Sequence, residues 1–223
     1  MLKSSRIVVL LLTFVVGFSS NLLGQNFDKT DWKLKTTKGK LKVYTRNNEH
    51  SDFKEIRITT TVSSSAEKII SVLNDVAGYH KWVFKCMGAK KIKVISSNDY
   101  YYYTKSDFPF PITDRDLVVR STQWTDEATG FIFSHSKAVP KMKGDEKGFI
   151  RIPEFDSYWK LMPQPDGTIN IDYVAVTDPG GNLPAWVVNL GITKGPVETM
   201  KRFTAIVEQV PDTTNKKVSH SEK

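Results

Sequence analysis

The chain has 223 residues and a formal net charge of +8, with 39% hydrophobic and 25% charged residues. That length suits one domain able to bury a sizeable core, and the single cysteine, Cys86, excludes an internal disulfide framework, so packing must hold the fold. Lys and Arg alternate with Asp and Glu instead of forming blocks, which reads as a basic soluble surface with mild attraction to anionic surfaces.

At the N-terminus, Lys3 and Arg6 precede the apolar run Ile7 to Phe18, and SSNLLGQ follows. A charged start, an apolar middle and a small-residue exit predict a secretory signal over 1–24, removed after Gly24 or, alternatively, after Ser20. A membrane-spanning helix needs roughly 20 apolar residues, and this run is shorter. No cysteine near the cut offers a lipid attachment point. The mature protein is therefore expected to be exported, periplasmic or secreted, with its domain over 26–210.

After a polar lead-in containing Trp32, Gly39 to Arg46 and Phe53 to Val62 read as strands, the second with Ile56, Ile58, Thr60 and Val62 on one face. Ser64 and Glu67 have capping-box spacing, and Ala66, Ile69, Ile70 and Leu73 recur at helical period, so a helix follows and ends near Gly78. From Ala89 the period is two. Strands are predicted at 89–96, 100–107, 116–124, 131–138, 149–163 and 168–177, separated by turn residues such as Asn98-Asp99 and Pro165-Asp166-Gly167. Links this short join antiparallel neighbours. A last helix is predicted from about Pro184 to Val210, kinked or split near Ile192 by Gly191, Gly195 and Pro196. Residues 211–223 are polar and aperiodic and read as a disordered tail.

The fold class is thus α+β: a curved antiparallel sheet of about eight strands against one long C-terminal helix. A twisted sheet of that size curls, and one helix is too narrow to fill its concave side, which leaves either a plugged core or a pocket. Thr60, Ser121, Ser134 and Ala175 are small or polar inward candidates, with Phe133, Trp159 and Tyr173 as bulky ones. On the last helix Trp186, Leu190, Val197, Met200, Phe203 and Val207 fall on one side, facing the sheet.

Catalytic signals are sparse. No two of His50, His80, His135 and His220 have metal-pair spacing, and no nucleophile elbow, phosphate loop or dinucleotide fingerprint is present. No cofactor is expected. His135 is the one histidine expected to look inward. Ser134 and Lys137 have Ser-x-x-Lys spacing, but on a strand they point to opposite faces. Arg115 is expected to form a structural ion pair with a neighbouring carboxylate, Asp114 or Asp116. Tyr100 to Tyr103 invite base stacking, yet alternation splits those rings between two faces and no recognition motif accompanies them, so no nucleic-acid partner is expected.

Val43 to Arg46, Phe53 to Ile56, PFPITDRD ending at Arg115-Asp116, Tyr158 to Leu161 and DPGGNLPAWVVN from Asp178 to Asn189 together resemble a START domain, a lipid-transfer module of the helix-grip superfamily that also contains polyketide cyclases. The match runs from about Asn26 to Gln209. It implies a sheet gripping the C-terminal helix around an internal cavity that holds one lipid or sterol, with no enzymatic activity. Trp186, Val187 and Leu190 then form the inner wall of a lid, Asp178 to Leu183 its hinge, and the C-terminal helix is expected to gate the cavity as well as wall it. Some family members carry an acidic and a basic side chain in the cavity, on the strands that here contain Tyr102 and Ser121. Neither is charged here, which favours a sterol-like or weakly polar ligand. The expected ligand contacts are Ile58, Thr60, Tyr102, Val119 and Ser121, then Phe133, His135, Trp159 and Tyr173, and from the helix Trp186, Leu190, Met200 and Phe203. Two alternatives stand beside this monomeric lipid binder: a cavity enzyme of the cyclase or hydrolase kind using His135 with Tyr102 or Tyr173, and an exported adaptor with a basic surface and a solid core.

Overall fold

In a computed structural model of the protein, the described residues are 31–49, 51–184, 186, 188–189 and 192–209. The predicted signal and tail lie outside them.

The strands are β1 (Lys33–Lys38), β2 (Leu41–Asn48), β3 (Ser51–Val62), β4 (Cys86–Ser96), β5 (Asp99–Ser106), β6 (Asp114–Thr125), β7 (Ile132–Ala138), β8 (Phe149–Arg151), β9 (Glu154–Pro163) and β10 (Ile169–Asp178). They form one sheet in the order β1-β2-β3-β10-β9-β7-β6-β5-β4, antiparallel throughout, with β8 added in parallel beside the start of β6. Ten strands replace the expected eight. β1 is almost wholly exposed and has no apolar alternation to reveal it, and the run 149–163 breaks at Ile152-Pro153, where proline cannot donate to a ladder.

Between β3 and β4 the chain crosses to the far edge of the sheet through α1 (Ala66–Asn74) and a 3-10 turn, Val76–Lys81. The cap of α1 is Ser65, one residue later than expected, accepting from the Lys68 N–H at 3.2 Å. Ser64 instead donates to the Val207 carbonyl and ties α1 to the end of the last helix. That last helix, α2 (Lys194–Glu208), follows a turn at Ile192 and Thr193, with Trp186, Val188 and Asn189 in a separate helical stretch before it. Pro196 falls in the first turn of α2, where its missing N–H costs no helical bond, so it starts this helix and does not kink one.

Val197, Met200, Phe203 and Val207 are the buried stripe of α2. Phe203 lies 4.9 Å from the Trp159 ring and 5.1 Å from Trp82, joining helix, sheet and crossover in one cluster. At the edges, exposed Lys33, Lys35 and Lys38 on β1 and Lys90, Lys91 and Lys93 on β4 oppose pairing with other chains.

The Phe203 cluster sets an expected stability cost. Phe203→Ala leaves a cavity between helix and sheet and is expected to lose about 3–5 kcal/mol in urea unfolding. Phe110→Ala, at a side chain 98% exposed, is expected to stay within about 0.5 kcal/mol of the parent.

Candidate functional site

Strand register aligns Tyr100, Ser121, Ser136, Ser157 and Ala175 across five neighbouring strands on the concave face. All five are buried. With strands about 4.8 Å apart, the small side chains from Ser121 to Ala175 make a shallow trough about 14 Å long. On one side of it stand Tyr102 and Val119, and on the other Gln123, Ser134, Trp159, Tyr173 and Ile58. The trough is polar but uncharged. Ser136 donates to the Ser121 hydroxyl at 3.2 Å. Burial pushes the Tyr102 and Tyr173 hydroxyls far above the ordinary phenol range, with interactions from Ser136 and Ser157 working against that rise, so both remain protonated donors.

Aromatic rings pack in a continuous series beside the trough. Tyr102 meets Tyr79 at 5.4 Å, Tyr79 meets Trp82 at 4.9 Å, and Trp159 meets Tyr173 at 4.7 Å and Trp82 at 6.5 Å. These rings, with Phe203 and Met200 from α2, build an apolar floor.

The segment that leaves β10 lies on the Tyr102 and Val119 side of the row. Arg115, 1% exposed, donates to the carbonyls of Thr113, Pro179 (2.7 Å) and Gly180 (3.1 Å), and its guanidinium lies 4.9 Å from the Phe108 ring centroid. The expected ion pair is therefore corrected: Arg115 holds main chain, while Asp116 takes a bidentate contact from Arg151 at 2.7 and 2.8 Å. Gly180 and Gly181 have φ of +67° and +72°. A Cβ on Gly180 would stand 2.9 Å from Pro153 Cδ and 3.0 Å from the Arg151 carbonyl oxygen, and one on Gly181 would stand 3.2 Å from Ile150 Cδ1. The two glycines thus serve a left-handed backbone pressed against β8 and its exit. Beyond them, Asn189 accepts from the Lys54 N–H and donates to the Asp52 carbonyl, each at 3.0 Å, joining the helical stretch to the start of β3.

Of the predicted contacts, Tyr102, Val119 and Ser121 border or form the trough, and Ile58, Trp159, Tyr173, Met200 and Phe203 lie toward the floor. Others do not join them. Phe133 and His135 are on the convex face: Phe133 stacks on Trp124 at 5.4 Å, and His135 stacks on Tyr158 at 4.1 Å and bonds Asp156 at 2.7 Å. Ser134 and Ser136 take the inward positions of that strand, as alternation requires. The acid–base pair of His135 with Tyr102 or Tyr173 is therefore not assembled. Thr60 borders a surface cleft of about 170 Å³ near the end of α2, with Lys38, Lys40 and Lys201. Trp186 is 67% exposed and so is not an inner wall. Leu190 lies outside the described residues. Ser136, Ser157, Tyr79, Trp82 and Gln123 are the interior residues that pattern reading missed. Counting strand parity outward from Ser121 finds the two serines, whereas Tyr79 and Trp82, in and just after an irregular turn, have no periodic signal.

A curved antiparallel sheet with a C-terminal helix against its concave face and a separately rooted helical segment at one end is the helix-grip architecture. The sequence matches the START domain family over residues 22–213, and the chain belongs to that family. An uncharacterized protein of Pseudomonas aeruginosa is 33% identical over 195 residues, covering 87% of this chain and 93% of that protein. START domain-containing protein 10 of Homo sapiens is 25% identical over 158 residues, which are 70% of this chain and 53% of the human protein, so the chain spans little more than half of that relative. The crystal structure of a STAR-related lipid transfer protein fragment from Xanthomonas axonopodis aligns with a TM-score of 0.75 at 28% identity, covering 80% of this chain and 99% of that one.

Two glycines separate strain from close approach. Gly180→Ala is expected to lower stability by about 1–3 kcal/mol, since it adds a backbone clash to an unfavourable φ. Gly39→Ala has a similar φ of +59° with no atom within 4 Å of the added Cβ, and the loss on urea unfolding is expected to be the smaller of the two.

Proposed function

We propose that this START domain binds one lipid or sterol-like molecule in the trough between sheet and α2, and passes it on without chemical change. The carrying observation is the in-register row Ser121, Ser136, Ser157 and Ala175, where four adjacent strands all present small side chains to the buried face. Aromatic and aliphatic rows on both sides suit a hydrocarbon body, and the hydroxyls suit a weakly polar end. The uncharged interior favours a neutral ligand, because a charged head group there loses hydration without a counter-ion.

The segment from Asn182 to Asn189 is the lid in this reading. Arg115 holds its root, and Asn189 latches its far side to β3 through two hydrogen bonds. A ligand or a membrane surface that replaces those contacts favours the open state. Export through the N-terminal segment is part of the proposal, as is transient contact of the basic surface with anionic membrane.

Mass spectrometry of material that copurifies with the mature chain tests the reading. One bound lipid species per chain is expected, and a protein without lipid that also takes none from vesicles supports a solid core. Ser136→Leu fills the trough and is expected to reduce lipid uptake at least tenfold, while Phe133→Ala, on the convex face, leaves it unchanged. The latch is tested separately. Asn189→Ala removes two partly exposed hydrogen bonds, and lipid release is expected to quicken by about fivefold to tenfold. An unchanged release rate in folded protein places the gate elsewhere.

A further inference from the structure

Among the described residues, three buried side-chain polar atoms lack a hydrogen-bond partner: Trp32 Nε1, Arg46 Nη1 and Gln123 Oε1. The first two belong to one cation–π contact on the other face of the sheet, where Arg46 lies 4.3 Å from the Trp32 ring centroid. Gln123 is different. It sits on the concave face of β6, two residues beyond Ser121 and opposite Ser134 on β7, and is 9% exposed.

Its orientation follows from its hydrogen bonds. Gln123 Nε2 donates at 2.8 Å to Asn74 Oδ1, at the end of α1, and that oxygen also accepts from the Tyr100 hydroxyl at 3.0 Å. With Asn74 Oδ1 facing Gln123 and Tyr100, turning the Gln123 amide alone would set two carbonyl oxygens against each other, so in this arrangement the Gln123 oxygen is the free group. Tyr100 gives its hydroxyl to Asn74 and, at 3.3 Å, to the Leu73 carbonyl, which also takes the Tyr79 hydroxyl at 2.8 Å. The Tyr100 and Tyr79 hydroxyls are therefore committed. What remains is an acceptor, held in place and short of a donor, and such a group lowers stability until something donates to it.

Resting on the lipid-binding reading, we infer that Gln123 is a specificity-determining residue whose side-chain carbonyl accepts a hydrogen bond from an uncharged hydroxyl of the ligand. A hydroxyl fits the site better than an ammonium group. Its neighbours on the concave face are serines, tyrosines and Trp159, with no carboxylate in the rows on either side of it to balance a cation. A hydroxyl also finds the second partners it needs among Ser121, Ser134 and Ser136.

The test uses the mature protein and two probe pairs, a sterol and its 3-methyl ether, and 1-hexadecanol and its methyl ether, each offered from neutral vesicles. Uptake is measured by mass spectrometry. The parent is expected to take the alcohol of at least one pair over the ether by about fivefold to tenfold, the range of one buried neutral hydrogen bond. Gln123→Leu and Gln123→Met are expected to bring that ratio below about twofold, with ether uptake unchanged and thermal stability equal or higher, since the orphan acceptor is gone. Two variants guard against a local packing fault, methionine being the more adaptable. A preference caused by the bulk of the ether methyl survives both substitutions, so a ratio retained in folded variants overturns the inference and marks the carbonyl as a water site only. Equal uptake of alcohol and ether by the parent overturns it as well. A parent that takes up none of the four probes overturns lipid binding in the trough itself, and the subsite with it.

Discussion

The buried guanidinium of Arg115 is the contact on which the arrangement of the chain leaving β10 depends. A buried cation is costly unless its donors are used and its charge is met by dipoles or counter-charges. Here the donors go to three main-chain carbonyls, two of them in the Pro179-Gly180 turn, while the Phe108 ring offers its electron-rich face. Lysine has neither the planar fork nor the reach to several carbonyls at once. The same strand start serves two directions. Arg115 holds the turn after β10, and its neighbour Asp116 holds Arg151, which also donates to the carbonyls of Pro140, Lys143 and Gly144. β8 is therefore fixed on both sides, and Gly180 and Gly181 pack against a wall that does not yield.

That rigidity bears on where the proposed lid would pivot. A pair of glycines after an Asp-Pro step reads as a flexible hinge, but both glycines are in defined left-handed conformations in close contact with β8, and Asp178 accepts from the Gly180 N–H at 2.7 Å. Glycine is required there for fit, not for freedom. Under the proposed function, motion of the lid would then begin after Gly181, in the last residues of the expected hinge at Asp178 to Leu183.

Much of the fold was legible because its physics is local. Alternation gave the long strands, the 3.6-residue stripe gave Val197, Met200, Phe203 and Val207, and the Arg-Asp and Asp-Pro-Gly-Gly segments carried the family resemblance. The site was legible in part. Phe133 looks like core by composition, yet Ser134 beside it was also an inward candidate, and adjacent strand residues cannot share a face. Parity alone decides that conflict in favour of at most one, and register with β9, where Ser134 opposes Trp159, decides for the serine. Trp186 failed for a different reason. Its inward assignment assumed one helical phase from Pro184 to Val210. The turn at Ile192 and Thr193 decouples the two segments, so a stripe counted across it has no geometric meaning. The role of Arg115 needed the tertiary structure, since two of the three carbonyls it binds are more than sixty positions away in the chain.

The two ends of the proposed lid are held by interactions of different strength, and under that proposal the difference sets the direction of opening. At the root, charge-assisted bonds to carbonyls are buried, and breaking them strands a cation away from water. At the far end, the Asn189 amide makes neutral bonds to the main chain of Asp52 and Lys54, near the surface, where water replaces them at little cost. Under the proposed function, the far end would therefore release first while the root stays attached. Trp186 lies between these ends with two thirds of its surface exposed. Released from β3, the proposed lid would then swing about the root that Arg115 holds.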